Sequence, residues 1–170
     1  MVPNPFRHNL KVAGSGAYVL RLRTGGWIEG VQALGLGSGE RYQVTGNGRK
    51  LELTVRPRPG RPREVAFSVR PMGAPVWLEG TRDRRPLAPV DVWMAEEGLH
   101  PPENPVRLPE VEPTGDDQER LTSNVFAPPR EERPGIHLWL TMIPGRAIME
   151  RFDKETCERM KALGYVQTCP

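Results

Sequence analysis

The residue types able to do chemistry in this 170-residue chain are three histidines, two cysteines, several glycine clusters and two arginine-rich turns. A metal site needs ligands at helical or CxxC spacing, and neither His8, His100 nor His137 has a His, Cys, Asp or Glu partner at such a distance. His137 lies between Ile136 and Leu138 and reads as a half-buried histidine bonded to a neighbour; His100 precedes Pro101-Pro102 and reads as turn chemistry. Gly14-Ser15-Gly16 and Gly35-Leu36-Gly37-Ser38-Gly39 sit between strand patterns without the following helix N-terminus that a phosphate cradle requires, so they read as bends. No GxSxG elbow is present, and Cys157 stands in a helical pattern without a nearby histidine. No cofactor, no metal set and no catalytic pair is expected. Arg56-Pro57-Arg58-Pro59-Gly60-Arg61-Pro62-Arg63 is the sharpest charge feature. Its prolines pre-extend the chain, so the arginines suit phosphate or sulfate groups, although a solvated loop explains them as well. A second basic turn carries Arg82, Arg84 and Arg85, softened by Asp83. If the fold brings both loops to one edge, a polyanion groove follows.

The elements that must position these residues are mostly strands. Tyr18, Leu20 and Leu22 alternate with Val19, Arg21 and Arg23, the period of a half-buried strand. Gly25-Gly26 turns the chain into a second strand at Trp27–Val31. Thr45-Gly46-Asn47-Gly48 between Tyr42–Val44 and Leu51–Val55 predicts a β-hairpin, because Asn-Gly tolerates positive φ. Val65, Phe67 and Val69 alternate, with shorter candidates at Val76–Leu78 and Val90–Met94, and the Arg-Pro run is expected as a hairpin loop between Val55 and Val65. Ile136–Met142 is apolar on both faces and predicts a central strand. One helix is expected, with Asp153 as N-cap, Lys154–Leu163 as body and Gly164 as left-handed stop. Its stripe of Cys157, Met160 and Leu163, with Tyr165 folding back, needs something to pack on, since about ten residues do not hold a helix in water.

Nineteen prolines and eighteen glycines exclude a helical bundle, and two cysteines exclude a disulfide scaffold. Between Gly98 and Gly135 prolines alternate with acidic residues and no period holds; apolar anchors such as Val106, Leu108 and Phe126 favour an extended strap over a solvated linker. The charge divides unequally. Residues 1–90 carry 15 basic and 6 acidic side chains, and the remainder 9 and 15, although the formal net is only +3. Either the halves lie together in one unit, or a basic surface for a polyanion precedes an acidic tail. No signal peptide or spanning segment is visible, so the expected compartment is the cytoplasm.

Phe152-Asp153-Lys154-Glu155-Thr156-Cys157-Glu158-Arg159-Met160-Lys161-Ala162-Leu163-Gly164-Tyr165-Val166 resembles the closing helix of many bacterial sulfatases, which end in D-x-E-T-x-E-R-L-K-A-L-G-Y-V. Asp83–Val92, Gly98–Pro101 and Arg133–Leu140 are similar to stretches behind the catalytic domain of such proteins, so the likeness covers most of 18–166. Sulfatases belong to the alkaline-phosphatase-like superfamily and use formylglycine, matured from a C/S-x-P/A-x-R motif, beside a calcium ion held by Asp and Asn. Cys157 is followed by Glu158-Arg159-Met160 and Cys169 by Pro170, so no active-site residue transfers. The resemblance implies the non-catalytic end standing alone, and a periplasmic or secreted home if the chain is a fragment of an exported sulfatase.

The expected fold is therefore mainly β: an antiparallel, sandwich-like domain over 1–97, a proline-rich strap over 98–135, and a final strand and short helix over 136–170. The expected function is a non-catalytic accessory or interaction module that meets a protein partner or its own copy through Trp77, Trp93, Trp139, Cys157, Met160, Leu163 and Tyr165. The alternative is a polyanion-binding module, for nucleic acid or sulfated glycan, using Arg56, Arg58, Arg61, Arg63, Arg82, Arg84 and Arg85. An enzyme assembled from scattered residues is a third.

Overall fold

Alternation along the chain translates directly into two facing sheets. The computed structural model describes residues 4–94, 105–109, 133–143, 158–159 and 161–164. One sheet contains, in spatial order, β3 (Trp27–Leu34), β6 (Arg63–Arg70), β1 (Phe6–Ala13), β11 (Gly135–Met142) and β9 (Val92–Met94). The other contains β10 (Val106–Arg107), β7 (Val76–Arg82), β2 (Tyr18–Thr24), β5 (Lys50–Val55) and β4 (Arg41–Thr45), with β8 (Arg85–Pro86) paired beside β7. Pairing is antiparallel except between β9 and β11. The fold is thus the expected mainly β, sandwich-like domain. We call the first sheet A and the second sheet B.

In the central strands β1, β2, β5, β6 and β11 every other residue points between the sheets. Tyr18, Leu20 and Leu22 of β2 meet Leu51, Leu53 and Val55 of β5 on the inner face of sheet B. Leu10 and Val12 of β1, Val65, Phe67 and Val69 of β6, and Ile136 and Leu138 of β11 face them from sheet A. Fully burying each such side chain contributes about 1.5–3 kcal/mol, so this layer is what holds the sheets together. Val106 and Leu108, two of the expected strap anchors, are buried in it, and Leu108 donates its N–H to the Val76 carbonyl. The rest of the strap lies largely outside the described residues.

Several local expectations are met and several are revised. The hairpin at Thr45-Gly46-Asn47-Gly48 joins β4 to β5, with Asn47 at φ 56°. Gly25-Gly26 turns the chain into the second strand as expected, and in doing so carries it from sheet B into sheet A. Gly26 sits so close to Arg70 that any Cβ there would run into the Arg70 carbonyl oxygen, and its N–H is held by the Thr24 hydroxyl. The segment 56–62 likewise links strands of different sheets and is not a hairpin loop. β1, an interior strand of sheet A, was not expected, because His8 interrupts its apolar alternation with Leu10 and Val12. The strand expected from Val90 begins at Val92, behind a 3-10 turn over Pro89–Asp91 closed by the Asp91 carboxylate on the Ala88 N–H.

At the C-terminus, Glu158, Arg159, Lys161 and Ala162 are helical, and Gly164 takes φ +81°, the left-handed stop its position predicts. Leu163 and Gly164 donate to the carbonyls of Arg159 and Lys161. Leu163 is exposed at 60%. The expected cap Asp153 and the expected packing residues Cys157, Met160 and Tyr165 lie outside the described residues. Among the described residues no helix is long and apolar enough to cross a membrane.

A basic end of the sandwich as candidate functional site

Strand register decides where the arginine-rich loops go. Tyr18 opens β2, and it pairs with Val55, the last residue of β5, and with Arg82, the last residue of β7. The loop after Val55 and the turn after Arg82 therefore leave sheet B at the same end, on either side of β2. Two strand spacings put their exits about 10 Å apart. The condition set by the sequence, both basic loops at one edge, is fulfilled.

The first loop is shaped by its prolines and by a buried ion pair. Pro59-Gly60 forms the tip of a turn closed by reciprocal Arg58–Arg61 backbone bonds, with Gly60 at φ +73°, the position a type II turn reserves for glycine. Beneath it, Arg63 Nε donates to both Glu40 carboxylate oxygens at 2.7 and 2.9 Å. The same carboxylate accepts the N–H groups of Arg56 and Gly37. Arg63 also donates to the carbonyls of Arg61 and Arg56. The Glu40 side chain is only 4% exposed and that of Arg63 11%. The Arg63 hydrogen bonds, helped by the two backbone donors, hold the Glu40 carboxyl down at about 2. Glu40 was not singled out in the sequence. Its one signal is that it is the only carboxylate between Glu29 and Glu52, beside the glycine-rich link.

The second turn is shaped by backbone chirality. Asp83 and Arg84 take φ 50° and 66° between Arg82 and Arg85, the two-residue arrangement whose twist matches a hairpin. Asp83 donates its backbone N–H to the Ala17 carbonyl and accepts the Ala17 N–H on its carboxylate. Arg82 turns inward over the Tyr18 ring, 5.5 Å from its centroid, and pairs with Asp91 at 3.4 Å.

The seven candidate arginines thus separate into two kinds. Arg63 and Arg82 occupy core-facing register positions at the end of their strands, one on each sheet, and each is matched by a carboxylate. They close the polar end of the core. Arg56, Arg58, Arg61, Arg84 and Arg85 are exposed and form the solvent-facing charge. Asp83 stands among them with its carboxylate already bonded to Ala17.

The candidate packing tryptophans are not gathered in one patch. Trp77 is half-buried on the outer face of sheet B opposite Arg23 and Arg107. Trp93 donates to the Pro134 carbonyl, lies under Arg133 and stacks on His137. Trp139 sits half-buried opposite Asn9 on the outer face of sheet A. Trp27, which the sequence did not nominate, is the more open one at 48% exposure. His137 is fully buried and not half-buried as expected, because Trp93 covers it; its Nε2 lies 2.6 Å from the Arg133 carbonyl oxygen. Among the described residues no three His, Cys, Asp or Glu side chains are placed to hold a metal ion. Compared with known proteins, the chain matches no family model, no curated protein and no solved structure.

Proposed function

We propose that this chain is a non-catalytic accessory module that binds a polyanion at the basic end of its sandwich. The observation that carries the reading is the register of β5 and β7 on β2, which sets Arg56, Arg58 and Arg61 beside Arg84 and Arg85. Both loops are fixed before any ligand arrives, one by the Glu40 carboxylate and one by its left-handed turn. Such pre-ordering lowers the entropy cost of binding, and guanidinium forks suit sulfate or phosphate oxygens. Neither loop interleaves aromatic residues with its arginines, which argues against recognition by base stacking. The likeness of the closing segment to the non-catalytic end of sulfatases supports an accessory role.

The test is a salt titration of binding to a labelled heparin chain. Affinity should fall steeply between about 50 and 200 mM salt, as counterion release requires. Replacing Arg56, Arg58 and Arg61 together by Ala should weaken binding at least about tenfold and flatten the salt dependence by about three in slope. Failure of the wild-type chain to bind at low salt would overturn the reading.

A further inference from the structure

Resting on that reading, the outer face of sheet B shows which polyanion fits. Beside the basic end lies an open cleft of about 610 Å³, within the roughly 300–1,000 Å³ range of small-ligand sites. Strand register builds its floor in two rows. The row nearer the arginines runs Arg41, Thr54, Val19, Thr81, Pro86 across β4, β5, β2, β7 and β8. The next runs Gln43, Glu52, Arg21, Glu79. Thr54 lies two residues before Arg56, and Thr81 two before Asp83, so the cleft opens straight onto the basic loops.

The chemistry of the two zones differs. The loops present guanidinium groups. The cleft has one guanidinium at its edge, Arg41, and otherwise presents hydroxyls at Thr54 and Thr81, an amide at Gln43 and carboxylates at Glu52 and Glu79, around an exposed aliphatic platform at Val19 (53%). Arg21 balances the carboxylates at 3.6 Å from Glu52 and 3.7 Å from Glu79. Carboxylates and amides accept and donate to hydroxyl groups, and the Val19 and Pro86 surfaces suit the CH face of a ring. Carboxylates repel sulfate and phosphate. A nucleic acid carries a phosphate at every nucleotide and has no uncharged stretch to lay over Glu52 and Glu79. A sulfated sugar chain has one, because hydroxyl-bearing edges lie between its sulfates.

We propose that the ligand is a sulfated glycan, its sulfates held by the arginine loops and a neighbouring sugar ring seated in the cleft on sheet B. The experiment compares a size-defined heparin oligosaccharide with inorganic polyphosphate of equal charge, measured by calorimetry on the full chain. Replacing Thr54 and Thr81 together by Leu removes two hydroxyls from the floor; Gln43→Ala, on the exposed edge strand, removes the amide without touching the core. The double variant should weaken the heparin oligosaccharide about tenfold, and Gln43→Ala about threefold, each leaving polyphosphate affinity unchanged, as lost hydrogen bonds to one ligand require. Arg58→Ala with Arg61→Ala should weaken both ligands. If the cleft variants weaken neither ligand, or both equally, the sugar subsite is refuted while the basic end stands. If the wild-type chain binds neither, the polyanion reading itself falls. Preference of the wild type for polyphosphate over heparin also overturns the glycan assignment.

Discussion

The two sheets solve the same burial problem with different side chains. Sheet B is aliphatic inside and charged outside: Leu20, Leu22, Leu51 and Leu53 face in, while Arg21, Arg23, Glu52 and Glu79 pair across the outer face. Sheet A carries titratable groups where sheet B carries leucines. His8 takes a core-facing position of β1 and stacks on Phe67 at 5.3 Å, with burial pushing its imidazole down to about 4. His137 is buried on the other side of the same sheet. The aliphatic sheet keeps its charge on its outer face, and the buried His8 imidazole makes the other sheet the one whose stability follows pH. Glu40 and Arg63 join the two, since Glu40 enters β4 of sheet B and Arg63 opens β6 of sheet A.

That joint should show the largest effect. Glu40→Ala leaves the Arg63 guanidinium buried without its carboxylate and releases the Arg56 and Gly37 N–H groups. Breaking such a pair from one side costs about 3–5 kcal/mol, read from urea unfolding at neutral pH. The depressed Glu40 value also sets a sign in acid. Its folded value of about 2 lies below the ordinary 4.5, so the stability it contributes is complete above 4.5 and drains away as the pH falls toward 2. A variant as stable as the wild type would show that the loops hold themselves and that the sheets meet only through their apolar faces.

His8 acts in a neighbouring pH window with the opposite chemistry. The unfolded imidazole takes up a proton near 6.5, whereas the folded one stays neutral down to about 4. Between those values the unfolded state binds more protons, so stability is intact above 6.5 and falls with the pH until about 4. The loss totals about 3 kcal/mol at 1.36 kcal/mol per unit. His8→Leu should flatten the unfolding free energy between pH 6.5 and 4 and leave the Glu40 slope below 4.5 in place. Were the wild-type stability level across that window, sheet A would be no more pH-dependent than sheet B.

The same contrast explains how much of the architecture can be read along the chain. β2 and β5 of sheet B alternate between leucine and charge, and their strands and inner faces follow from period two alone. β1 is hidden because His8 sits at a core position where the pattern calls for an aliphatic residue, and Pro3 and Pro5 precede it. Neighbourhood is harder still. Among the described residues only β4–β5 and β7–β8 are local hairpins; the other strands next to each other in the chain lie in different sheets, so Val55 and Val65 look like the two arms of a hairpin and are not. The arginines of the candidate site are plain in the sequence. Their division into Arg63 and Arg82, which close the core, and the five that face solvent is not, because it depends on Glu40 meeting Arg63 from another strand and on Asp91 folding back onto Arg82.

Tyr18 gives the smallest effect and tests whether sheet B is as plain as its leucines suggest. The ring is fully buried, and its hydroxyl meets no hydrogen-bond partner among the described residues. Burial raises its pKa, and the Arg82 guanidinium over the ring only partly opposes this. A buried hydroxyl without a partner carries a desolvation cost that its removal relieves. Tyr18→Phe keeps the ring, the packing against Val55 and the contact with Arg82, so stability should stay level or rise by up to about 1 kcal/mol. A loss above about 1 kcal/mol in thermal unfolding would mean that the hydroxyl is bonded after all. Sheet B would then share the buried polar character that separates sheet A from it.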